Sequence, residues 1–297
     1  MDHLGDGVNG VRTLVISGAS GFLGEHLVRL AFAGLPQVKI VPLVSPRHGG
    51  IDLTLPGASR ELTRLIRLDC PQETALIHAA ARVSFDSADG LLANAAMAVH
   101  VAEWARDAGI SFATLVSSVI VSPAAGSRDS LYAIGKRATE QVWQLVFPPA
   151  SRAIVRLAGV WGWQANPTLF WNRLLLCAAG QTCTPLPLRR ARSRRNYISV
   201  SEAANSALHL TAQRMAGSYV AASAEAIDLG TFVEALRNLP ESRLQLDWQD
   251  DGLSDEVLYP PSPELAALLH PFAEVLEETW RTRPLWLSAA SCVGSPR

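Results

Sequence analysis

Short apolar runs alternate with longer amphipathic segments over the first half of the chain. The apolar runs, each short enough for a buried strand, occupy residues 12–17, 39–44, 65–68, 75–78, 111–117 and 153–156. Between them, apolar residues recur at helical spacing over 21–34, 88–107 and 131–147. Strands that alternate with helices form mainly parallel sheets covered on both faces. The pattern therefore predicts an α/β fold with a doubly wound parallel sheet.

The alternation loosens after Trp161, where proline-bearing stretches follow. We predict that residues 11–162 form the core and that residues 163–287 form a small C-terminal part that mainly binds substrate. Within that part, a strand and a helix over 196–211 are expected to return to the core. Shorter elements follow, with strands at 218–223 and 243–248 and helices near 231–239 and 263–280. Residues 1–10 and 288–297 are predicted to be disordered.

The composition is that of an ordinary globular protein. The chain has 297 residues, 48% of them hydrophobic and 18% charged, with a formal net charge of -1. This balance predicts neither nucleic acid nor a membrane surface as a partner. No apolar run reaches the roughly 18 residues that cross a bilayer, and the first ten residues do not resemble a signal peptide. The four cysteines lack metal-ligand spacing, so we expect no metal site and a cytoplasmic protein with reduced thiols.

A glycine-rich segment, Gly18-Ala-Ser-Gly21-Phe-Leu-Gly24, directly follows the first strand and opens a helix. Three glycines at this spacing allow a tight turn and a close approach of the backbone to a pyrophosphate. The helix N-terminus adds free N–H groups and a positive dipole end. This position in a strand–helix series favours a dinucleotide-binding loop over a glycine-rich turn without a ligand.

The segment after the second strand indicates which nicotinamide cofactor is bound. NAD enzymes of this type place an acidic residue there, which binds the ribose 2′-hydroxyl. Residues 41–47 (VPLVSPR) contain no acid, and Arg47 can meet a 2′-phosphate. We therefore favour NADP(H) over NAD(H), with a solvated loop arginine as the alternative interpretation of Arg47.

Tyr132 and Lys136 lie four residues apart on a predicted helix and therefore share one face. An ammonium beside a phenol stabilises the phenolate, so we expect Lys136 to lower the pKa of Tyr132 toward the working pH. Ser118, at the end of the preceding strand, can hydrogen-bond the same substrate oxygen. The chain has only two lysines, Lys39 and Lys136, so this spacing is rarely met by chance. The three residues are candidates for proton transfer at a hydroxyl or carbonyl group.

Together these motifs resemble the extended short-chain dehydrogenase/reductases, the NAD-dependent epimerase/dehydratase family that holds the sugar-nucleotide epimerases and dehydratases. The resemblance runs through about Thr211 and implies a Rossmann fold, in which Asp69 would contact the adenine and Lys136 the nicotinamide ribose. The cofactor-binding residues that it implies, besides Arg47, are Gly18, Ser20, Gly21, Phe22, Leu23, Gly24, Asp69, Cys70, Ala79, Ala80, Ala81, Tyr132, Lys136, Leu157, Gly159 and Val160.

Two departures from the family pattern bear on the function: one on the reaction and the other on the substrate. The acidic pair that follows the serine or threonine in the 4,6-dehydratases is Val119-Ile120 here, which disfavours a dehydratase. Beyond Ser218 the resemblance is thin, so the substrate stays open.

Residues 77–85 (IHAAARVSF) also resemble the thioester (acyl-carrier) reductases. An NADPH-dependent thioester or ketone reductase is therefore the alternative to an epimerase-type enzyme acting on a nucleotide sugar.

Three residues are candidates for substrate contact: Ser84, Trp161 and Arg195, the last of which falls where the family often touches a substrate phosphate. Core packing is an equally good interpretation of Trp161, and His78, at the end of a buried strand, is interpreted as structural.

A cofactor-sensing module without turnover is a further alternative, but such a module has no need of the full Ser–Tyr–Lys set. From the family we also expect a homodimer built from the helices at 88–107 and 131–147.

Overall fold

The protein was analysed as a computed structural model, which describes residues 9–82, 88–122, 130–163, 170–181, 186–189, 192–249 and 256–283. The strands are β1 (Thr13–Ser17), β2 (Lys39–Leu43), β3 (Thr74–His78), β4 (Phe112–Ser118), β5 (Arg152–Leu157), β6 (Gly159–Trp161), β7 (Leu186–Leu188), β8 (Arg194–Ser199), β9 (Gly217–Ala221), β10 (Ala226–Asp228), β11 (Leu246–Trp248) and β12 (Glu256–Val257). The helices are α1 (Phe22–Gly34), α2 (Ala58–Leu65), α3 (Ala88–Asp107), α4 (Leu131–Val146), α5 (Phe170–Ala178), α6 (Val200–Ala212), α7 (Leu229–Arg237) and α8 (Phe272–Arg281). In the part of the chain that is described, no helix combines the length and the apolar character needed to cross a membrane.

The central sheet has six parallel strands in the order β2-β1-β3-β4-β5-β9. Thr13 lies opposite both Lys39 and Thr74, so the strands begin level with one another. Their carboxyl ends consequently meet along one edge, which we call the cofactor edge. In doubly wound sheets, ligands bind outside this edge, where the strand order reverses.

Helices cover both faces of this sheet. On one face, α2, α3 and α4 pack over β1, β3 and β4 through buried side chains, among them Leu62, Trp104 and Trp143. On the other face, α1 packs against α6, and α6 lies over β3, β4 and β5. Burial on both faces explains why the strands are continuously apolar. The predicted α/β fold with a doubly wound parallel Rossmann sheet is confirmed.

The predicted strand at residues 65–68 is wrong. Leu65 is the last residue of a helix, α2, which the sequence analysis missed, and it is 54% exposed. Arg64 and Arg67 interrupt the apolar positions here. The buried residues of α2 are Ala58 and Leu62, which pack it against the rest of the protein. Within the described residues, β2 is therefore one of the two edge strands of the sheet, and β9 is the other.

The chain divides into two compact units, Met1–Ala158 with Val200–Ala221, and Gly159–Ser199 with Ala222–Arg297. We expected 196–211 to return to the core as a whole, but only α6 does, because β8 pairs with β6, β10 and β12 in the second unit. β9, expected in the C-terminal part, pairs with β5 in the central sheet. The second unit has its own core, in which Trp161 packs edge-on against Phe232.

Candidate active site

The loop between β1 and α1, residues 18–24, is shaped by contacts that only glycine permits. Gly18 has a φ of 76°, and a Cβ added to it would lie 2.5 Å from the backbone nitrogen of Ala80. A Cβ on Gly24 would lie 1.9 Å from the carbonyl oxygen of Gly18. The backbone of this glycine loop therefore lies directly against residues 79–80 and against the first turn of α1.

The same loop places the N-terminus of α1 at the cofactor edge. Gly21 caps the helix with extended backbone, and its N–H donates to the Gly18 carbonyl (2.9 Å). In the described structure no side chain caps this helix. The N–H groups of Phe22, Leu23 and Gly24, which have no acceptor within the helix, are thus left for a ligand. Such a helix end favours an anion such as a pyrophosphate.

Ser20 connects the glycine loop to the segment after β2. Its hydroxyl accepts a hydrogen bond from the Ser45 backbone N–H (3.1 Å) and donates to the Ser45 hydroxyl (3.3 Å). Ser45 begins a single helical turn, Pro46–His48, on which Arg47 is exposed. The structure therefore brings Arg47 to the same edge of the sheet as the glycine loop.

Asp69 and Cys70 lie at the opposite edge of the sheet. The Asp69 carboxylate pairs with the ammonium of Lys39, the first residue of β2 (3.6 Å). The Cys70 carbonyl accepts a hydrogen bond from the hydroxyl of Thr74, the first residue of β3 (2.9 Å). A five-residue strand spans about 17 Å, so the structure does not bring these two predicted cofactor contacts to the glycine loop. The reason is the short connection between Asp69 and β3. β3 begins at the opposite edge, five positions after Asp69, and so few residues could not return the chain there if a strand before Asp69 had carried it to the cofactor edge.

The backbone that follows β3 passes beside the glycine loop. The Ala79 N–H donates to the carbonyl of Ser17 (3.1 Å), which holds residues 79–81 next to the end of β1. Asn94 of α3 is buried and bonds Arg82 twice, accepting from its N–H (2.7 Å) and donating to its carbonyl (3.0 Å). The segment Ala79–Ala80–Ala81 is therefore fixed at the cofactor edge, as the resemblance implies.

Ser118, Tyr132 and Lys136 are close together at the carboxyl end of β4. Ser118 is the last residue of β4, and its hydroxyl is hydrogen-bonded to the Tyr132 side chain. Tyr132 lies in the first turn of α4, which begins after Ser130, whose hydroxyl accepts from the Ala133 N–H (3.1 Å). The Lys136 Nζ lies 5.9 Å from the centre of the Tyr132 ring and donates to the Val116 carbonyl (3.2 Å).

Burial determines the charge states of this cluster. It raises the pKa of Tyr132 to about 12, against the opposing effect of the Ser118 hydrogen bond. Burial also lowers the pKa of Lys136 to about 8, against the attraction of Glu140. Our expectation of a lowered tyrosine pKa is therefore wrong, because the loss of hydration of the buried phenolate outweighs the hydrogen bond from Ser118. The phenol is protonated at neutral pH and can donate its proton.

His78 is buried beneath this cluster. Its Nδ1 is 2.7 Å from the Ser17 hydroxyl, and its ring stacks on Trp143 with 5.3 Å between centroids. Burial, with a smaller effect of Lys136, lowers its pKa to about 3. A neutral, hydrogen-bonded ring of this kind agrees with the structural interpretation of His78.

The remaining predicted site residues are distributed over both units. Leu157 lies opposite Ser118 on the neighbouring strand β5, at the cofactor edge. Gly159, Val160 and Trp161 form β6 of the second unit, where Trp161 is 2% exposed. Such burial leaves core packing, the alternative we considered, as the role of Trp161. Arg195 belongs to β8 of the same unit and donates to the Arg194 carbonyl (2.8 Å), whereas Ser84 lies outside the described residues.

A buried ion pair next to the cluster was not predicted from the sequence. Glu140 follows Lys136 by one helical turn and accepts two hydrogen bonds from the Arg156 guanidinium (2.9 and 2.7 Å). The four-residue spacing of Tyr132, Lys136 and Glu140 was a signal for the position of Glu140, but nothing in that spacing pairs it with Arg156.

Comparison with known proteins places this geometry in context. No curated protein sequence matches the chain. The UDP-glucose 4-epimerase of Thermus thermophilus, determined with NAD, has a TM-score of 0.72 at 17% identity, over 91% of this chain and 98% of that one. The dTDP-4-dehydrorhamnose reductase of Bacillus anthracis, determined with NADP, has a TM-score of 0.73 at 16% identity, over 92% of this chain and 100% of that one. These likenesses establish the fold.

The sequence itself carries the family signal across the glycine loop, the Ser–Tyr–Lys cluster and the strands between them. Residues 14–222, which include all of these features, match the model of the NAD-dependent epimerase/dehydratase family. The match covers well over half of the chain, and the chain belongs to that family.

Proposed function

We propose that this protein is an NADP(H)-dependent enzyme that transfers a hydride at a hydroxyl or carbonyl carbon of a small-molecule substrate, with Ser118, Tyr132 and Lys136 moving the proton. The observation that carries the proposal is the hydrogen bond between Ser118 and Tyr132, together with the buried Lys136, whose Nζ lies 5.9 Å from the centre of the same ring. A nicotinamide bound at the cofactor edge supplies the hydride donor or acceptor. A protein that only sensed the cofactor would not need these three side chains close together.

The residues at the cofactor edge fit a dinucleotide. The loop carries glycine at positions 18, 21 and 24, which lets a pyrophosphate approach its backbone closely, and the uncapped first turn of α1 suits that group. Tyr132 holds a proton that it can donate to a carbonyl oxygen as that oxygen gains charge, and it can accept a proton in the reverse direction. The Ser118 hydroxyl hydrogen-bonds the same oxygen, and the Lys136 ammonium stabilises the phenolate that is left.

Arg47 supports NADP(H) as the cofactor. It is exposed on a turn that Ser20 ties to the glycine loop, so it lies near the end of β2, where a ribose 2′-phosphate is bound in folds of this type. Residues 41–47 offer no carboxylate for a 2′-hydroxyl. Relatives of similar fold were determined with NAD and with NADP, so the preference rests on Arg47 itself.

Nucleotide sugars are the substrate class that we propose, because the structural neighbours are named for UDP-glucose and dTDP-4-dehydrorhamnose. A 4,6-dehydratase is disfavoured, since Val119 and Ile120 take the place of the acid–base pair that such an enzyme needs. Val119 is 7% exposed and packs in the core.

The test begins with titration calorimetry of NADPH and NADH, followed by a substrate panel of nucleotide sugars, ketones and acyl thioesters. We expect NADPH to bind more tightly and a nucleotide sugar to be converted, with nicotinamide absorbance recording net oxidation and chromatography recording epimers. Tyr132→Phe serves as the control for any turnover observed. Failure to bind either dinucleotide would overturn the proposal, and tight binding with no turnover across the panel would favour the sensing module.

A further inference from the structure

A buried carboxylate lies one helical turn beyond Lys136 and has no part in the proton transfer proposed above. Glu140 is 5% exposed. Its Oε1 accepts from the Ser117 hydroxyl (2.6 Å) and from Arg156 Nε (2.9 Å), and its Oε2 accepts from a terminal nitrogen of Arg156 (2.7 Å). Ser117 and Arg156 lie opposite each other on β4 and β5. Three elements are thus joined at one carboxylate.

Lys136 is in surroundings that oppose its charge. Its side chain is buried, with the residue 6% exposed, and the Val116 carbonyl is a neutral acceptor. The titratable groups that interact with it come from two elements: Tyr132 and Glu140 of α4 and His78 of β3, and a fourth, Arg156 of β5, is bonded to Glu140. Tyr132 and His78 are neutral near pH 7, so Glu140 is the anion of this group.

We propose that Ser117, Glu140 and Arg156 are positioning residues of the active site, which hold one negative charge a helical turn from Lys136 and thereby keep that buried side chain an ammonium beside Tyr132. We call these three residues the anchoring network. Its effect on catalysis rests on the proposed function, whereas the charge state of Lys136 can be measured without any substrate or cofactor.

Arg156 has a distinct part in this arrangement. Its two hydrogen bonds, with that of Ser117, occupy the carboxylate oxygens of Glu140. The carboxylate is therefore fixed over β4 and β5, and Lys136 Nζ stays on the Val116 carbonyl below Tyr132. Arg156 also partly cancels the negative charge that Lys136 experiences. Removing Glu140 and removing Arg156 should consequently have opposite effects on Lys136, although both changes break the same ion pair.

The chain allows this to be tested directly because it has only two lysines. In a Lys39→Arg background, Lys136 is the sole lysine, and ¹⁵N-lysine labelling followed by NMR titration reports its protonation midpoint. We expect Glu140→Gln to lower this midpoint by about one pH unit and Arg156→Gln to raise it by up to about one pH unit. Glu140→Asp, which retains the charge, should stay close to the parent.

If either single variant fails to fold, the double variant Glu140→Gln with Arg156→Gln replaces the ion pair by two amides that can bond each other. We expect its midpoint to lie below that of the parent, because Glu140 is the charge whose attraction raises the pKa of Lys136. Midpoints that stay unchanged, or that move in the same direction in both single variants, would overturn the inference. Opposite shifts in a protein that binds no dinucleotide would instead leave the inference standing and remove the proposed function.

Discussion

Gly24, in the first turn of α1, lies so close to Gly18 that a Cβ on Gly24 would be 1.9 Å from the Gly18 carbonyl oxygen. No side chain can move aside there, because the obstructing atom belongs to the backbone. The contact fixes the distance between the end of β1 and the start of α1, and hence the shape of the glycine loop.

We therefore expect Gly24→Ala to displace the loop from α1. The change should lower the free energy of unfolding by about 1 to 3 kcal/mol, the usual cost of overpacking, and should weaken NADPH binding by about tenfold or more. Gly21→Ala is the matched control for the loss of stability, since its Cβ would be 3.2 Å from the same oxygen and Gly21 has extended backbone. Urea denaturation and calorimetry measure the two effects, and an equal loss of unfolding free energy in Gly24→Ala and Gly21→Ala would refute this explanation.

Tyr132→Phe should abolish proton transfer while it preserves the cofactor site. The ring and its packing remain, so NADPH affinity should stay nearly unchanged, whereas turnover should fall by about 10²- to 10⁴-fold. Ser118→Ala removes one hydrogen bond to the substrate oxygen and should lower the rate by about 10- to 1000-fold. Lys136→Ala should lower both cofactor affinity and rate. Full turnover in Tyr132→Phe would refute the mechanism, and unchanged NADPH binding in Lys136→Ala would remove its role at the ribose.

Arg47→Ala should reverse or abolish the cofactor preference. Losing a charge-assisted contact to a 2′-phosphate should weaken NADPH binding by about tenfold or more and leave NADH binding unchanged. Arg106→Ala is the control, because Arg106 is an exposed arginine in the last turn of α3 and pairs with Asp107 (2.8 Å). Calorimetric titrations with both dinucleotides give the result, and a parallel loss for NADPH and NADH would argue against a phosphate contact.

His78 should make the protein sensitive to acid. Its pKa is about 3 in the folded protein and 6.5 when unperturbed, so the unfolded chain binds the extra proton between these values. Stability from this group is therefore complete above pH 6.5 and falls as the pH decreases toward 3, by up to about 1.4 kcal/mol per pH unit.

His78→Asn should remove this dependence, because its amide can still bond the Ser17 hydroxyl but does not titrate. Between pH 7 and pH 5, the wild-type protein should lose about 2 kcal/mol more unfolding free energy than the variant. Urea denaturation at the two pH values provides the comparison. The same loss in both proteins would mean that other groups cause the acid sensitivity.

Apolar side chains on the outer faces of α3 and α4 predict a homodimer. Leu92 is 63% exposed, Ile134 39% and Leu145 86%. Burying these side chains against a second copy would release water from apolar surface. Leu145→Asp should therefore give a monomer by light scattering at micromolar concentration, whereas Phe32→Asp on α1, also at an exposed apolar position, should leave the dimer intact. A wild-type monomer at that concentration would contradict the prediction.

The sequence predicted those features that depend on near neighbours in the chain. The glycine loop needs three glycines within seven residues, and the Tyr132–Lys136 pair needs only a helix. Asp69 was misplaced because its position depends on how many residues separate it from β3, which a motif does not record. The direction of the pKa shift of Tyr132 was mispredicted because burial by the surrounding fold raises it, and the local Tyr–Lys spacing does not record that burial. The pairing of Glu140 with Arg156 joins a helix to a strand, and no local pattern specifies it.

The missing strand after α2 has a consequence for how the protein behaves at high concentration. An edge strand with free N–H and C=O groups can be extended by a strand of another molecule, which leads to aggregation. β2 is such an edge, yet its fourth residue is Pro42, which has no N–H, and its first is the charged Lys39, whose side chain is exposed. Proline and lysine are residues that commonly protect edge strands. The sheet can therefore end at β2 without serving as a template for a second chain.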